Sequence, residues 1–316
     1  MQLTNRVKRS LLVAVLIIGA SSEIRSQTVY SFRSVNVPGA AYTVANANNN
    51  GGQIVGTFRT TELCCSTGTG YLLSNGAFKN IVYPSATQTF ANSINVHQAL
   101  VGVYYDQSGV QHGFLLKGGT YSSIDYPGAA STFAVSINDN GVICGGYSDG
   151  ARYHGFVLHG TTYSTKNYPG SAGSEAATIN NAGEVVGTYS LTDPLLNSGV
   201  LGYSMNGTAF TSVEFPSAVQ TWAEGVNNNG DIVGEYLDSK SAAHGFTLIS
   251  GSYATIDFPH AAGTVANEIN DGGQITGYYA GQDSTVDLQG FLATPLSPTP
   301  TNSGTALPAS KAGGLR

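Results

Sequence analysis

The chain has 316 residues and a net charge of −6. Asp, Glu, Lys and Arg make up only 10% of it, well under the roughly one quarter usual in soluble domains. Its 13 Lys and Arg against 19 Asp and Glu leave no basic stripe to meet phosphates, which excludes a nucleic-acid-binding reading. The remaining polarity comes from Ser, Thr, Asn, Gln, Gly and Tyr, a surface suited to neutral hydrogen-bonding partners such as glycans or other proteins.

Residues 1–26 read as a signal peptide. Arg6, Lys8 and Arg9 precede the apolar run from Leu11 to Ile18, which is too short to span a bilayer with ease. Cleavage after Ser22 or Ser26 would send the chain out of a bacterial cell, to the medium, the periplasm or the cell surface. An uncleaved anchor is the competing reading of the same segment, and no later stretch is apolar and long enough to cross a membrane.

Beyond the leader the chain repeats. Pro38, Pro84, Pro127, Pro169, Pro216 and Pro259 are 46, 43, 42, 47 and 43 residues apart, and each is followed 18 residues later by a glycine: Gly56, Gly102, Gly145, Gly187, Gly234 and Gly277. A period near 43 with strand-like content indicates propeller blades. Each copy begins with strand A, in the pattern Thr/Ser-x-Ala-x-x-φ-Asn (Thr132 to Asn138 in the third), where Asn48 takes the apolar φ place in the first copy. A turn such as Asn138-Asp139-Asn140-Gly141 has the residues of a tight hairpin. Strand B carries the phased glycine, which weakens a strand unless something approaches closely; a neighbouring blade is the expected partner. A variable loop leads to strand C, as in His112-Gly113-Phe114, and a second turn leads to strand D, which ends at the repeat proline.

The sixth copy has no strand D. The missing strand lies at the other end of the chain, where Ser31 to Pro38 aligns with Thr120 to Pro127. The predicted fold is therefore all-β: a six-bladed β-propeller of four-stranded antiparallel blades over residues 27–293, closed by the N-terminal strand so that no edge is left open. Residues 294–316, rich in Pro, Ser, Thr, Gly and Ala, read as a disordered tail.

The unit φ-Asn-x-x-Gly-x-φ-φ-Gly-x-Tyr, then His-Gly-Phe, then Ile-Asp-Tyr-Pro-Gly-Ala, resembles the bacterial HAF-type extracellular repeat family over about residues 29–293. Where that family has His-Ala-Phe, this chain has His-Gly-Phe three times. The resemblance implies an exported repeat protein and brings no catalytic residues.

Three cysteines are present. Cys64 and Cys65 are adjacent, in position for a vicinal disulfide in an oxidising compartment, and Cys144 fills an apolar place in strand B. No zinc spacing, phosphate loop or nucleophile elbow occurs. His112, His154 and His244 recur at one position of strand C, far from the axis, and read as structural hydrogen-bonding groups rather than zinc ligands. Turns such as Asn138-Asp139 lack the alternating acids of a tight calcium site, so calcium is only a weak prospect and no other cofactor is implied.

The D–A connections and the variable B–C loops share one face, and any ligand is expected there. Tyr42, Phe90, Phe133 and Trp222 stand at the start of strand A; each either stacks on a sugar at the channel mouth or fills space between blades. Glu175, Glu224 and Glu268 lie on strand A of consecutive blades, at different offsets that predict divergent side chains. The leading function is a non-catalytic, monomeric recognition module for carbohydrate or protein. The alternatives are a glycan hydrolase or lyase using those glutamates, and a structural surface or matrix protein.

Overall fold

A computed structural model describes residues 28–60, 67–282 and 288–296. The leader, Cys64, Cys65 and the tail beyond residue 296 lie outside the described residues. Twenty-four strands form six four-stranded antiparallel sheets, the blades of a β-propeller. Five blades take their strands in chain order. The sixth is built from both ends: Tyr30–Val35 pairs with Leu288–Pro295, with Tyr30 opposite Pro295 and Val35 opposite Gly290. This is the predicted closure. The last strand continues through Thr294 and Pro295, two residues past the expected boundary, because Ser31 and Tyr30 pair with them. Pro295 is tolerated at the strand end, where its missing N–H costs little.

The repeat residues each do a definable job. Pro38-Gly39 makes a tight turn, with Ala40 N–H donating to Val37 O at 3.0 Å and Gly39 at φ +77. The Thr/Ser that opens strand A reaches back over this turn: its hydroxyl accepts from the backbone N–H of Val37, Tyr83, Tyr126, Tyr168, Phe215 or Phe258 at 2.9–3.2 Å. Strand C supplies one wholly buried ring per blade: Tyr71, Phe114, Phe156, Tyr203, Phe246 and Phe291. In the two tyrosine copies the hydroxyl donates to a strand A carbonyl, of Val44 or Glu175.

Strand A carries a β-bulge in every blade, just after its alanine. The bulge explains the phased glycine and corrects its expected partner. A Cβ on Gly102 would lie 1.9 Å from Phe90 O, on strand A of the same blade and not on a neighbour. The blade-to-blade approach belongs to the glycine of strand C: a Cβ on Gly113 would lie 3.1 Å from Ala134 N of the next blade.

The far side of the channel is ringed by the asparagine that ends each strand A. Asn49 donates through its side-chain amide to Asn95 O, Asn95 to Asn138 O, Asn138 to Asn180 O, Asn180 to Asn227 O, Asn227 to Asn270 O, and Asn270 back to Asn49 O, at 2.9–3.4 Å. The same side chains accept from turn N–H groups, as Asn49 Oδ1 does from Gly51 and Gln53. These are Asx turns, which account for the asparagine and aspartate of the turn sequences.

An outer ring uses the next residue. The N–H groups of Val96, Asp139, Asn181, Asn228 and Asp271 donate to the side-chain oxygen of Asp139, Asn181, Asn228, Asp271 and Asn50 respectively. The circle lacks one link, because Val96 has no acceptor to offer Asn50. Val96→Asn should complete it, adding about 0.5–1.5 kcal/mol and raising the melting temperature by about 1–4 °C in a calorimetric scan. An unchanged or lower transition would show that the missing link costs the ring nothing.

Candidate functional site: an acid-walled channel mouth

On the face carrying the D–A turns, the channel opens into a cavity of about 410 Å³. Toward the asparagine ring it narrows to about 70 Å³, and the two spaces meet at Thr178 and Glu268. Among the described residues the cavity walls come mainly from strands A and B; Gln111, at the end of one B–C loop, also reaches it. Inner strands face the axis at three register positions. Before the alanine stand Val44, Phe90, Phe133, Glu175, Trp222 and Val265. At the bulge stand Asn46, Asn92, Val135, Ala177, Glu224 and Asn267. After the strand B glycine stand Thr57, Val103, Gly146, Thr188, Glu235 and Tyr278. The scaffold positions repeat from blade to blade and these do not, so the mouth is strongly asymmetric.

One side of the cavity is aromatic and amide: Tyr42, Phe90, Tyr105 and Tyr278 with Asn46, Asn92 and Asn267. All three amides are pinned, Asn46 to Ala91 O at 2.8 Å, Asn92 to Ala134 O at 2.9 Å and Asn267 to Ala45 O at 3.1 Å, leaving their side-chain carbonyls free to accept. The other side is acidic. The expectation that the strand A glutamates diverge is corrected for two of them. Glu224 is the bulged residue and Glu268 follows the bulge, and both line the cavity. Glu175 precedes the bulge, accepts from Thr188 Oγ1 at 3.3 Å, and does not line it.

Burial pushes Glu224 up to about 8, helped by the negative charges of Glu175 and Glu235. Burial likewise pushes Glu268 to about 8, against the lowering effect of its bonds to Ile269 N–H and Thr178, and with a further push from Glu224. Glu235 rises to about 7 by burial, and Glu175 is raised for the same reason. Thr178 Oγ1 lies 2.6 Å from Glu224 O and 3.2 Å from Glu268 Oε2. A hydroxyl has one proton to give. The nearer carbonyl is the stronger acceptor of that proton, and Glu268 Oε2 makes the longer, weaker contact. Among the described residues the carboxylate of Glu224 has no hydrogen-bond partner, and neither has that of Glu235.

Two of the four aromatic candidates, Tyr42 and Phe90, line the cavity. Arg59 covers Tyr42 at 5.4 Å, and Phe90 meets Tyr105 edge-on at 6.0 Å. Phe133 packs edge-on against Tyr153 at 5.8 Å and occupies the space left by Gly146, where a Cβ would lie 2.2 Å from its ring. Trp222 is partly buried opposite Glu235 in the ladder. Neither of these two borders the cavity. Glu235, Tyr105, Tyr278, Gln111 and Thr57 escaped the sequence reading; for Glu235 and Tyr278 the signal is the break in the repeat at one strand B position.

The three histidines are held within their own blades. His112 Nδ1 is 2.7 Å from Asp125, His244 Nδ1 is 2.8 Å from Asp257, and His154 lies between Asp149 at 3.0 Å and Asn167 at 2.8 Å. Each ring stacks on a strand B tyrosine, Tyr104, Tyr236 or Tyr147. Asp125, Asp257 and Asn167, two residues before the repeat prolines, thus serve as scaffold. Cys144 is wholly buried. Among the described residues no group of three or more His, Cys, Asp or Glu is placed to hold a metal ion, and no helix is long and apolar enough to cross a membrane.

Fold and site together define a six-bladed β-propeller with an asymmetric, acid-walled channel mouth. No family model and no curated protein matches the chain. Among solved structures it is similar to TolB from Acinetobacter baumannii, at 12% identity and a TM-score of 0.52, over 77% of this chain and 63% of that one. It is also similar to the six-bladed fucose-recognising lectin of Aleuria aurantia (11% identity, 82% of this chain and 93% of that one, TM-score 0.49). A catalytically inactive virginiamycin B lyase from Staphylococcus aureus is comparable (10% identity, 85% of this chain and 100% of that one, TM-score 0.49). At such identities the likeness speaks to the propeller fold alone.

Proposed function

We propose that this is an exported, non-catalytic HAF-type recognition module that binds carbohydrate at the channel mouth on the D–A face. One observation carries the reading: a cavity of about 410 Å³ places aromatic rings beside amide side chains whose carbonyls are free to accept. Aromatic faces cover the apolar face of a sugar ring, and fixed amides meet its hydroxyls. The volume lies in the usual range for small-ligand sites.

A screen of the full chain on a glycan array should give binding to one glycan class. Phe90→Ala should weaken it at least tenfold while the melting profile stays cooperative. No binding to any glycan, or binding indifferent to Phe90, would remove the reading. A second reading has its own support in Glu224 and Glu268, two acids of raised pKa in one cavity, which suit a general acid and base in a glycan hydrolase or lyase. Release of reducing ends from a bound glycan, abolished in Glu224→Gln, would replace recognition by catalysis.

A further inference from the structure

The cavity is one-sided in charge. Glu224 and Glu268 line it, and Glu235 and Glu175 stand close enough to act on Glu224. The titratable and charged groups facing these acids from neighbouring elements are Tyr278, Tyr203 and Cys144, all without positive charge. Arg59 lies over Tyr42 but does not border the cavity. No described cation is paired with any of the four glutamates. An acid wall of this kind is satisfied either by protons or by a ligand that carries positive charge.

A second feature of the same cavity is independent of the acids. Thr57, 3% exposed, lines it with a hydroxyl that has no hydrogen-bond partner among the described residues. Buried hydroxyls are nearly always bonded, and one that is not marks a place where a ligand group or water belongs. The unpartnered carboxylate of Glu224 lies in the same cavity, lined between them by the aromatic and amide residues.

We infer that the ligand is an amine-bearing sugar whose ammonium group sits against Glu224 and Glu268 while its ring lies on the aromatic and amide side. This rests on the carbohydrate reading and narrows it. Among the described residues no group of three His, Cys, Asp or Glu is placed there to hold a metal ion. A bare polyamine would leave the amide carbonyls and the Thr57 hydroxyl without partners. An amino sugar uses all three wall types at once: charge on the acids, hydroxyls on Asn46, Asn92 and Thr57, and the ring face on Phe90 or Tyr42.

The test compares glucosamine pentasaccharide with its fully N-acetylated counterpart, titrated calorimetrically into the full chain at pH 6.5, with spermidine as the sugar-free cation. The inference expects the free-amine sugar to bind at least tenfold more tightly than the acetylated one, and more tightly than spermidine. Glu224→Gln should erase that preference while keeping a cooperative melt. Equal affinity for the two sugars overturns the ammonium assignment and leaves the carbohydrate reading in place. Spermidine binding as tightly as the amino sugar overturns the role of the ring. Failure of every probe overturns both readings.

Discussion

Replacing Glu224 or Glu268 with glutamine should make the protein more stable at pH 9 and leave it almost unchanged at pH 4.5. Both acids have a folded pKa near 8, above the 4.5 of the exposed group. The folded state therefore holds more protons than the unfolded state between those values, so stability falls as pH rises through that window. At full weight a shift of this size is worth about 5 kcal/mol per group. Glu224 is only partly buried, and relaxation around buried acids offsets much of the penalty, so about 2 kcal/mol each is the expected cost at pH 9. Asp106, Asp149 and Asp238 work in the opposite sense. Backbone N–H groups and the nearby histidines hold their carboxyls low, so what they contribute is complete above about pH 4 and lost below it. Wild-type stability should then peak between about pH 4 and 5 and decline from there to about pH 8. Differential scanning calorimetry across that range checks the slope. A flat profile from pH 5 to 9, or glutamine variants that melt earlier at pH 9, would mean the acids are better solvated than their burial implies.

The largest structural effect is expected at the strand B glycines. In Gly102→Ala the new Cβ would sit 1.9 Å from Phe90 O and 2.9 Å from the Phe114 ring. Neither can withdraw: one is backbone of a bulged strand, the other a wholly buried side chain. The expected loss exceeds about 4 kcal/mol, enough to prevent recovery of folded protein. Gly128→Ala is the control. Its φ is +78 and nothing lies within 4 Å of the new Cβ, so only backbone strain is added, at about 1 kcal/mol. Chemical denaturation of the two variants separates them. Similar, mild losses would show that the bulge of strand A yields and does not fix the inner strands.

The scaffold was readable in the sequence because it repeats. Six copies of Pro, Thr/Ser, Gly and Asn locked in phase gave the blade count, and the missing sixth strand D pointed to Tyr30–Val35 as its replacement. Two things were hidden. The bulge leaves no mark on residue type, so offsets along strand A suggested that Glu224 and Glu268 point apart when both reach one cavity. The partner of the strand B glycine was misplaced for the same reason. Trp222, singled out as the sole tryptophan, does not border the cavity, whereas Glu235 and Tyr278 matter and carry no motif at all. They are visible only as departures at a position where the other blades carry Thr, Val or Gly. In a repeat protein the conserved phase builds the ring, and the positions that break it face the axis.

The most direct test is a crystal structure of the full chain with the best-binding oligosaccharide from the array. The account predicts electron density for the sugar in the channel mouth, its ring against Tyr42 or Phe90 and a polar substituent within hydrogen-bond distance of Glu224. Sugar found instead on the asparagine-ring face, or in a groove between outer strands, would contradict it.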